Sequence, residues 1–328
     1  MTSLGLEVAL RFFPVNSGVR MQETTPATPY ARYRPQQPFV YSYGWAMNNA
    51  QKGMTNREGF NNSKDFADGA NALVIGDSFI EAYMVPYADT VQGQLDAALG
   101  KVYAASSSGN GLADALQLSR QFLPRIHPKT VVLFVEPWDL RLIDQTTGRG
   151  HNSFVFGKDG VKVEHQAYVE SKIKVQMLRS ALLRYVYYNL KLPDWAQGKG
   201  AGPESAVAVD PAKQAETLQR RDAAIDYLLK ELDGLQRQYN TRFVFLVDAD
   251  RATIYARGKA KSAWLPSDRE YLLGKLKAAG YGVVDMQPVF TDHWNRYRER
   301  MDSLPMDGHW NKVGHKLAAE QVLRLIGK

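Results

Sequence analysis

Cysteine is absent from all 328 residues. That removes thiol nucleophiles, disulfides and thiolate metal sites from consideration, while leaving the compartment open. Long apolar runs are absent as well: no stretch of about 18 residues reads as a membrane span. The opening MTSLGLEVALRFFPV has neither the basic start nor the small-residue cleavage site of a secretory leader. Its Leu4–Phe13 portion is nevertheless apolar. It reads either as packed on the body of the protein or as the stub of a removed anchor, with membrane association through this end as the corresponding expectation. Charge of one sign is also lacking, with 41 lysines and arginines against 34 acids. The formal excess of +7 is spread along the chain rather than gathered into tails. A solvated, slightly basic surface accounts for it, and attraction to an anionic polymer is the sharper alternative. No nucleic-acid partner is expected.

With 45% hydrophobic residues, a substantial core is available. Residues 1–70 are expected to form an irregular N-terminal segment packed on the core, Pro-, Asn- and aromatic-rich around PYARYRPQQPFVYSYGW (29–45). So many aromatic rings argue against disorder, and an ordered, strand-poor wrap is expected. From residue 71 to 328 short apolar runs alternate with helical stretches. The runs are 72–75, 102–105, 130–135, 243–247 and 282–285; the helical stretches are about 88–98, 111–123, 212–238, 267–279 and 311–326. Leu218, Ile225, Leu228, Leu229, Leu232 and Leu235 fall on one helical stripe. Continuous apolar strands separated by helices predict a three-layer α/β/α domain around a central, mostly parallel five-stranded sheet. An insertion at about 140–211 interrupts it. That insertion holds a candidate helix at about 166–190 and a Gly/Ala/Pro/Ser-rich link, AQGKGAGPESAVAVDP (196–211), expected to be mobile.

The first strand ends in VIGDSF (74–79). Ligands of parallel α/β sheets sit beyond the carboxyl ends of the strands, where Ser78 would face them. Gly-Asp-Ser is by itself equally a turn whose Asp or Ser caps the next helix. A serine nucleophile needs a base within reach and an acid to orient that base. Of six histidines, His309 stands out, because Asp307 precedes it by two residues in MDGHWNKVGH (306–315). His315 reads as structural. His127 and His165 have no nearby acid, His151 sits in a loop, and His293 follows Asp292 without a turn.

GDSF (76–79) and DGHWN (307–311) together resemble the first and last blocks of the SGNH, or GDSL-type, hydrolases. VYAASSSGNG (102–111) is similar to their second block. TNREGFNN (55–62) is similar to an Asn-x-x-Gly-Phe segment of extracytoplasmic members. The resemblance implies the SGNH-hydrolase, flavodoxin-like fold and a Ser–His–Asp mechanism. Ser78 would be the nucleophile, His309 the base and Asp307 the orienting acid. The backbone N–H groups of Ser78 and Gly109 would form an oxyanion hole, each donor worth about 3 kcal/mol. Asp77 would serve the turn. Neither a cofactor nor a metal is implied.

The chain departs from the family in VLFVEPWDLR (132–141). Trp138 stands where the third block supplies an oxyanion Asn, with Asp139 retained. Trp138 is then an indole donor, a substrate platform or a core residue, and Asn110 is a substitute donor. Trp138 and Trp310 are candidate substrate-binding residues. Relatives without this Asn that carry D-x-H-W-N include periplasmic O-acetyltransferases of bacterial exopolysaccharides such as alginate. The resemblance thus implies an esterase or O-acetyltransferase acting on O-acyl, chiefly O-acetyl, groups of a carbohydrate. Its partners would be an acyl donor and a polysaccharide, in a periplasmic or other extracytoplasmic compartment. The missing Asn motivates the alternative, a non-catalytic carbohydrate-binding scaffold on a decayed fold. A metal-dependent hydrolase using His309 and His315 ranks third, since no dense ligand cluster surrounds them.

Overall fold

The computed structural model describes residues 2–66, 69–145, 148–192, 211–258, 260–265, 267–303 and 307–327, without the side chains of 211–214 and 307. The link expected at 196–211 lies outside the described residues but for the backbone of its last position. Strands are numbered here in chain order: β1 (Pro38–Tyr43), β2 (Asn48–Met54), β3 (Ala72–Gly76), β4 (Val102–Ser106), β5 (Thr130–Val135), β6 (Asn152–Gly157), β7 (Gly160–His165), β8 (Arg242–Val247), β9 (Gly282–Asp285), β10 (Asp302–Ser303) and β11 (Asp307–Trp310).

Five of these form the central sheet in the order β4-β3-β5-β8-β9, every neighbouring pair parallel. β3, β4 and β5 are buried along their whole length, which is why their sequences are apolar on both faces. Leu73, Ile75, Val131, Leu133, Phe243 and Phe245 point to one layer, made by the helices Leu112–Ile126, Pro211–Tyr239 and Asp268–Ala278. Ala72, Val74, Val132, Phe134, Val244 and Leu246 point to the other, made by Val91–Leu99, Met286–Tyr297 and Lys312–Ile326. The expected three-layer α/β/α architecture is therefore present, with a wholly parallel sheet. On the long helix Ile225, Leu228, Leu229 and Leu232 are buried as their spacing predicts, whereas Leu218 is exposed.

The N-terminal segment departs from the strand-poor expectation. β1 and β2 pair antiparallel as a hairpin, Phe39 opposite Gly53. β2 reads NNAQKGM and has no strand pattern of its own; its pairing comes from β1, whose aromatic residues dock on the body. The segment is also part of the core. Phe60 is fully buried, stacked near Tyr30 and edge-on to Tyr103 and Phe122. Ahead of it Ser3–Leu10 is a helix capped by the Thr2 hydroxyl, with Leu10 buried and Leu4, Val8, Phe12 and Phe13 exposed.

The insertion contains a second hairpin, β6 and β7, turned through Gly160 at φ +100°. The single helix expected at 166–190 is broken at Ser180, whose backbone is extended. The break separates Lys172–Arg179 from Ala181–Arg184, and the Ser180 hydroxyl bonds Glu7 instead (2.8 Å). Among the described residues no helix is long and apolar enough to cross a membrane.

Removing the Phe60 ring leaves a cavity between the N-terminal segment and the helix Leu112–Ile126. Phe60→Ala should lower the unfolding free energy by about 3–5 kcal/mol, read from guanidinium midpoints. An unchanged midpoint would mean that this segment docks on the core without stabilising it.

Candidate active site

The site is built where β3 and β5 end. In the observed strand order the chain leaves these two neighbours in opposite directions, opening a crevice at their carboxyl ends. β3 ends at Gly76, where a Cβ would lie 2.4 Å from Ile80 Cγ1 and 3.1 Å from Phe134 Cβ. Only glycine lets the chain turn this tightly from strand into the helix Ser78–Glu81. Asp77 caps that helix, its Oδ1 accepting from the Phe79 N–H (2.8 Å). It thus serves the turn, and burial raises its carboxyl above the usual range. Asn61 and Asn62 from the Asn-x-x-Gly-Phe segment donate to the Glu81 carbonyl, both at 2.9 Å, holding the short helix from outside.

Ser78 and His309 meet. His309 Nε2 lies 2.7 Å from Ser78 Oγ although 231 positions separate them. The imidazole rests on the Phe79 ring, centroids 4.7 Å apart. The side chain of Asp307, the expected orienting acid, lies outside the described residues. Its backbone belongs to β11, two positions ahead of the imidazole.

Trp310 is not a substrate-binding residue. It is fully buried among Phe79, Phe134 and Phe290, and its indole N–H donates to Asp248 Oδ1 (2.9 Å). It roots the strand that carries His309. Next to it Asn311 caps the last helix, accepting from Val313 N–H (2.9 Å) and Gly314 N–H (3.2 Å). His315 is buried in that helix, and its Nδ1 accepts from Val91 N–H (3.3 Å). Burial pushes its pKa down to about 3. It packs edge-on against the Trp310 ring, centroids 5.6 Å apart, which fits the structural reading.

Two cavities flank Ser78. One, about 260 Å³, is lined by Ser78, Gly109, Asn110 and the apolar Leu112, Ile143 and Phe154. The other, about 480 Å³, holds His309, Gly308, Arg251, Tyr255 and Arg300. Ser78, Glu136 and Trp138 line both. Trp138 is 43% exposed, with the Arg141 guanidinium 4.6 Å from its ring centroid. The core-residue reading is thereby excluded. Gly109 has φ +86°, the left-handed region where glycine is at ease, and borders the same cavity as Ser78. Asn110 gives one amide hydrogen to the Gly76 carbonyl (3.0 Å), so it braces the nucleophile turn. Asp139 accepts from the Glu136 N–H (2.8 Å) and fixes the turn after β5.

Several contributors went unread in the sequence. Glu136 faces both cavities, and burial together with Asp77 and Asp139 drives its carboxyl well above the usual range. Asp114 accepts from Gly111 N–H (3.1 Å) and from Asn152 N–H (2.8 Å), with His151 Nδ1 3.4 Å away. It ties the inserted hairpin to the Gly109 turn. The one available signal was polar crowding at strand ends, as in the acids and arginine that follow β8.

Glu81 is a further case. Buried in the helix that Ser78 begins, it accepts from the Ser108 hydroxyl and from the Ser108 N–H (3.1 Å), next to Gly109. Burial, partly offset by Ser108, raises its pKa from 4.5 to about 7. An acid that holds its proton more tightly when folded favours the fold at low pH. That contribution is full below about 4.5 and is lost as pH rises through about 7. A shift of this size corresponds to about 3 kcal/mol. Glu81→Gln should therefore flatten the decline in unfolding free energy between pH 5 and pH 8. A decline as steep as that of the unmodified protein would contradict the assignment.

No family model and no curated protein matches the chain. Solved structures similar to it include a member of the lipolytic G-D-S-L family from Veillonella parvula, 11% identical over 77% of this chain and 96% of that one, TM-score 0.38. An acetylxylan esterase from Geobacillus stearothermophilus is 15% identical over 81% and 97%, TM-score 0.43. An α/β hydrolase from the metagenome of Lake Arreo is 16% identical over 80% and 97%, TM-score 0.41. These hydrolases are what the chain is similar to.

Proposed function

We propose that this chain is a serine-dependent acyl-ester enzyme acting on O-acyl groups of a carbohydrate. The observation that carries the reading is the 2.7 Å contact between Ser78 Oγ and His309 Nε2 at the mouth of two cavities. In the proposed reaction Ser78 Oγ attacks the ester carbonyl while His309 Nε2 takes its proton. The oxyanion is received by the Ser78 and Gly109 N–H groups. As the tetrahedral intermediate collapses, the imidazolium returns the proton to the departing sugar oxygen, leaving acyl-serine. Water or a second sugar hydroxyl then attacks, with His309 again as base. Asp307 would hold the ring tautomer through the other nitrogen. Hydrolysis and O-acetyl transfer share every one of these groups, and the transfer version would belong outside the cytoplasm, as in the family resembled.

The groove favours a neutral sugar over a polyanion. Glu136, Asp248, Asp250 and Asp302 line the larger cavity against Arg251 and Arg300. The chain's overall positive excess is therefore not concentrated where the glycan would lie. Trp138, exposed between the cavities, is suited to stack on a sugar ring.

A serine-directed phosphonate should label Ser78, and Ser78→Ala should abolish the label. Ser78→Ala and His309→Ala should each lower kcat by about 10⁴-fold or more on a soluble acyl ester, because such groups act as a unit. Failure of the unmodified protein to label under conditions that label a serine esterase would favour the binding-scaffold alternative. Acetylated sugar recovered from an activated acetyl ester plus oligosaccharide supports transfer; acetate release indifferent to sugar leaves hydrolysis. Trp138→Ala should raise KM for the glycan ester and leave kcat near that of the unmodified protein. A fall in kcat at saturation would instead make the indole an oxyanion donor.

A further inference from the structure

We propose that Arg251 is the positioning residue that sets His309 against Ser78. The inference rests on the acyl-serine reading above and names what aligns its two reacting groups.

His309 rides on a weak support. β11 has four residues and, among the described residues, pairs with the two-residue β10 alone, with an irregular register between Asp302 and Ser303. A ribbon of this size is not stable by itself. A Cβ added at Gly308, directly before His309, would meet nothing within 4 Å, so no side-chain packing at that position holds the strand. Trp310 roots the far end of this strand in the core, and the Gly308 end, on the other side of the imidazole, needs a hold of its own.

Arg251 reaches both partners. It opens the short helix Arg251–Tyr255 just beyond β8. Its Nη1 donates to the Gly308 carbonyl, on the residue adjoining the base. Its Cζ lies 5.1 Å from the centroid of the Phe79 ring, the residue after the nucleophile. That same ring carries the imidazole.

Two carboxylates aim the guanidinium. Nη2 is 3.2 Å from Asp248 Oδ2, and Nη1 is 3.6 Å from Asp302 Oδ2. Both acid side chains are almost wholly buried. Each is itself committed to the His309 strand. Asp248 Oδ1 accepts from the Trp310 indole, and Asp302 lies opposite Trp310 in the ladder. Arg300 also donates to Asp302, at 2.8 Å to Oδ1 and 3.2 Å to Oδ2. The Asp302 and Arg300 carbonyls receive the Asn311 amide at 3.0 and 2.8 Å. The planar, forked guanidinium suits this arrangement of several acceptors in fixed directions; an ammonium does not.

Arg251 also lines the larger cavity, so a substrate contact is the competing account. Arg251→Lys separates the two. It keeps the charge beside Asp248 and Asp302 and loses the fork. On a small soluble acyl ester, kcat should fall roughly 10- to 100-fold with KM little changed, since about 1 Å of misplacement costs that much. Inactivation by a small neutral phosphonate, which needs only Ser78 and its base, should slow by the same factor. Thermal melting of Arg251→Lys and of the charge-balanced pair Arg251→Gln with Asp248→Asn reports on folding. A raised KM with phosphonylation at the unmodified rate would overturn the inference and leave Arg251 a substrate contact. A loss of rate matching only the unfolded fraction at the assay temperature would overturn it in favour of a purely structural role. If the unmodified protein resists phosphonylation at Ser78, the acyl-serine reading falls and this inference falls with it.

Discussion

A hydroxyl and an imidazole 231 positions apart in sequence stand 2.7 Å apart in space, and the functional account follows from that contact. Ser78 is presented because β3 stops at a glycine that no larger residue could replace without striking Ile80 or Phe134. His309 is presented because Trp310, next to it, is sunk into the core and hydrogen-bonded to Asp248 at the end of β8. A parallel sheet makes such a meeting natural. All five strands end on one rim, and the segments that follow β3, β4, β5 and β8 line the two cavities beside Ser78.

The rim is made rigid by buried carboxylates. Asp77 holds the Phe79 N–H, Glu81 the Ser108 loop, Asp114 the turn at Gly111 and the inserted hairpin, Asp139 the turn after β5, and Asp248 the Trp310 indole. Burying an acid is costly unless hydrogen bonds satisfy it. Here each acid also fixes one loop of the site. The clustering has an electrostatic result: burial and neighbouring acids raise the carboxyls of Asp77, Glu136 and Asp139. Fixed N–H donors make a preorganised setting for an ester.

Much of this was legible because its causes are local. The five core strands are buried on both faces and so read as apolar runs, and the stop at Gly-Asp-Ser marked the turn. The hairpin β1–β2 was not legible, because β2, NNAQKGM, has no strand pattern of its own and takes its conformation from pairing with β1. Trp138 and Trp310 show the limit most clearly. Both stand near acids in short polar motifs, yet one is exposed between cavities and the other is fully buried. The Phe79, Phe134 and Phe290 rings decide this, and they come from three separate elements. Arg251 was missed for the same reason: its acceptors on Asp248, Gly308 and Asp302 are up to 57 positions away.

The most direct measurement is to quench the unmodified protein in acid during turnover of an activated acyl ester and map the acylated peptide by mass. The account predicts the acyl group on the Ser78 hydroxyl, in an amount that declines once substrate is exhausted. Steady turnover with the acyl group on another residue, or on none under conditions that trap a serine esterase's intermediate, would contradict it.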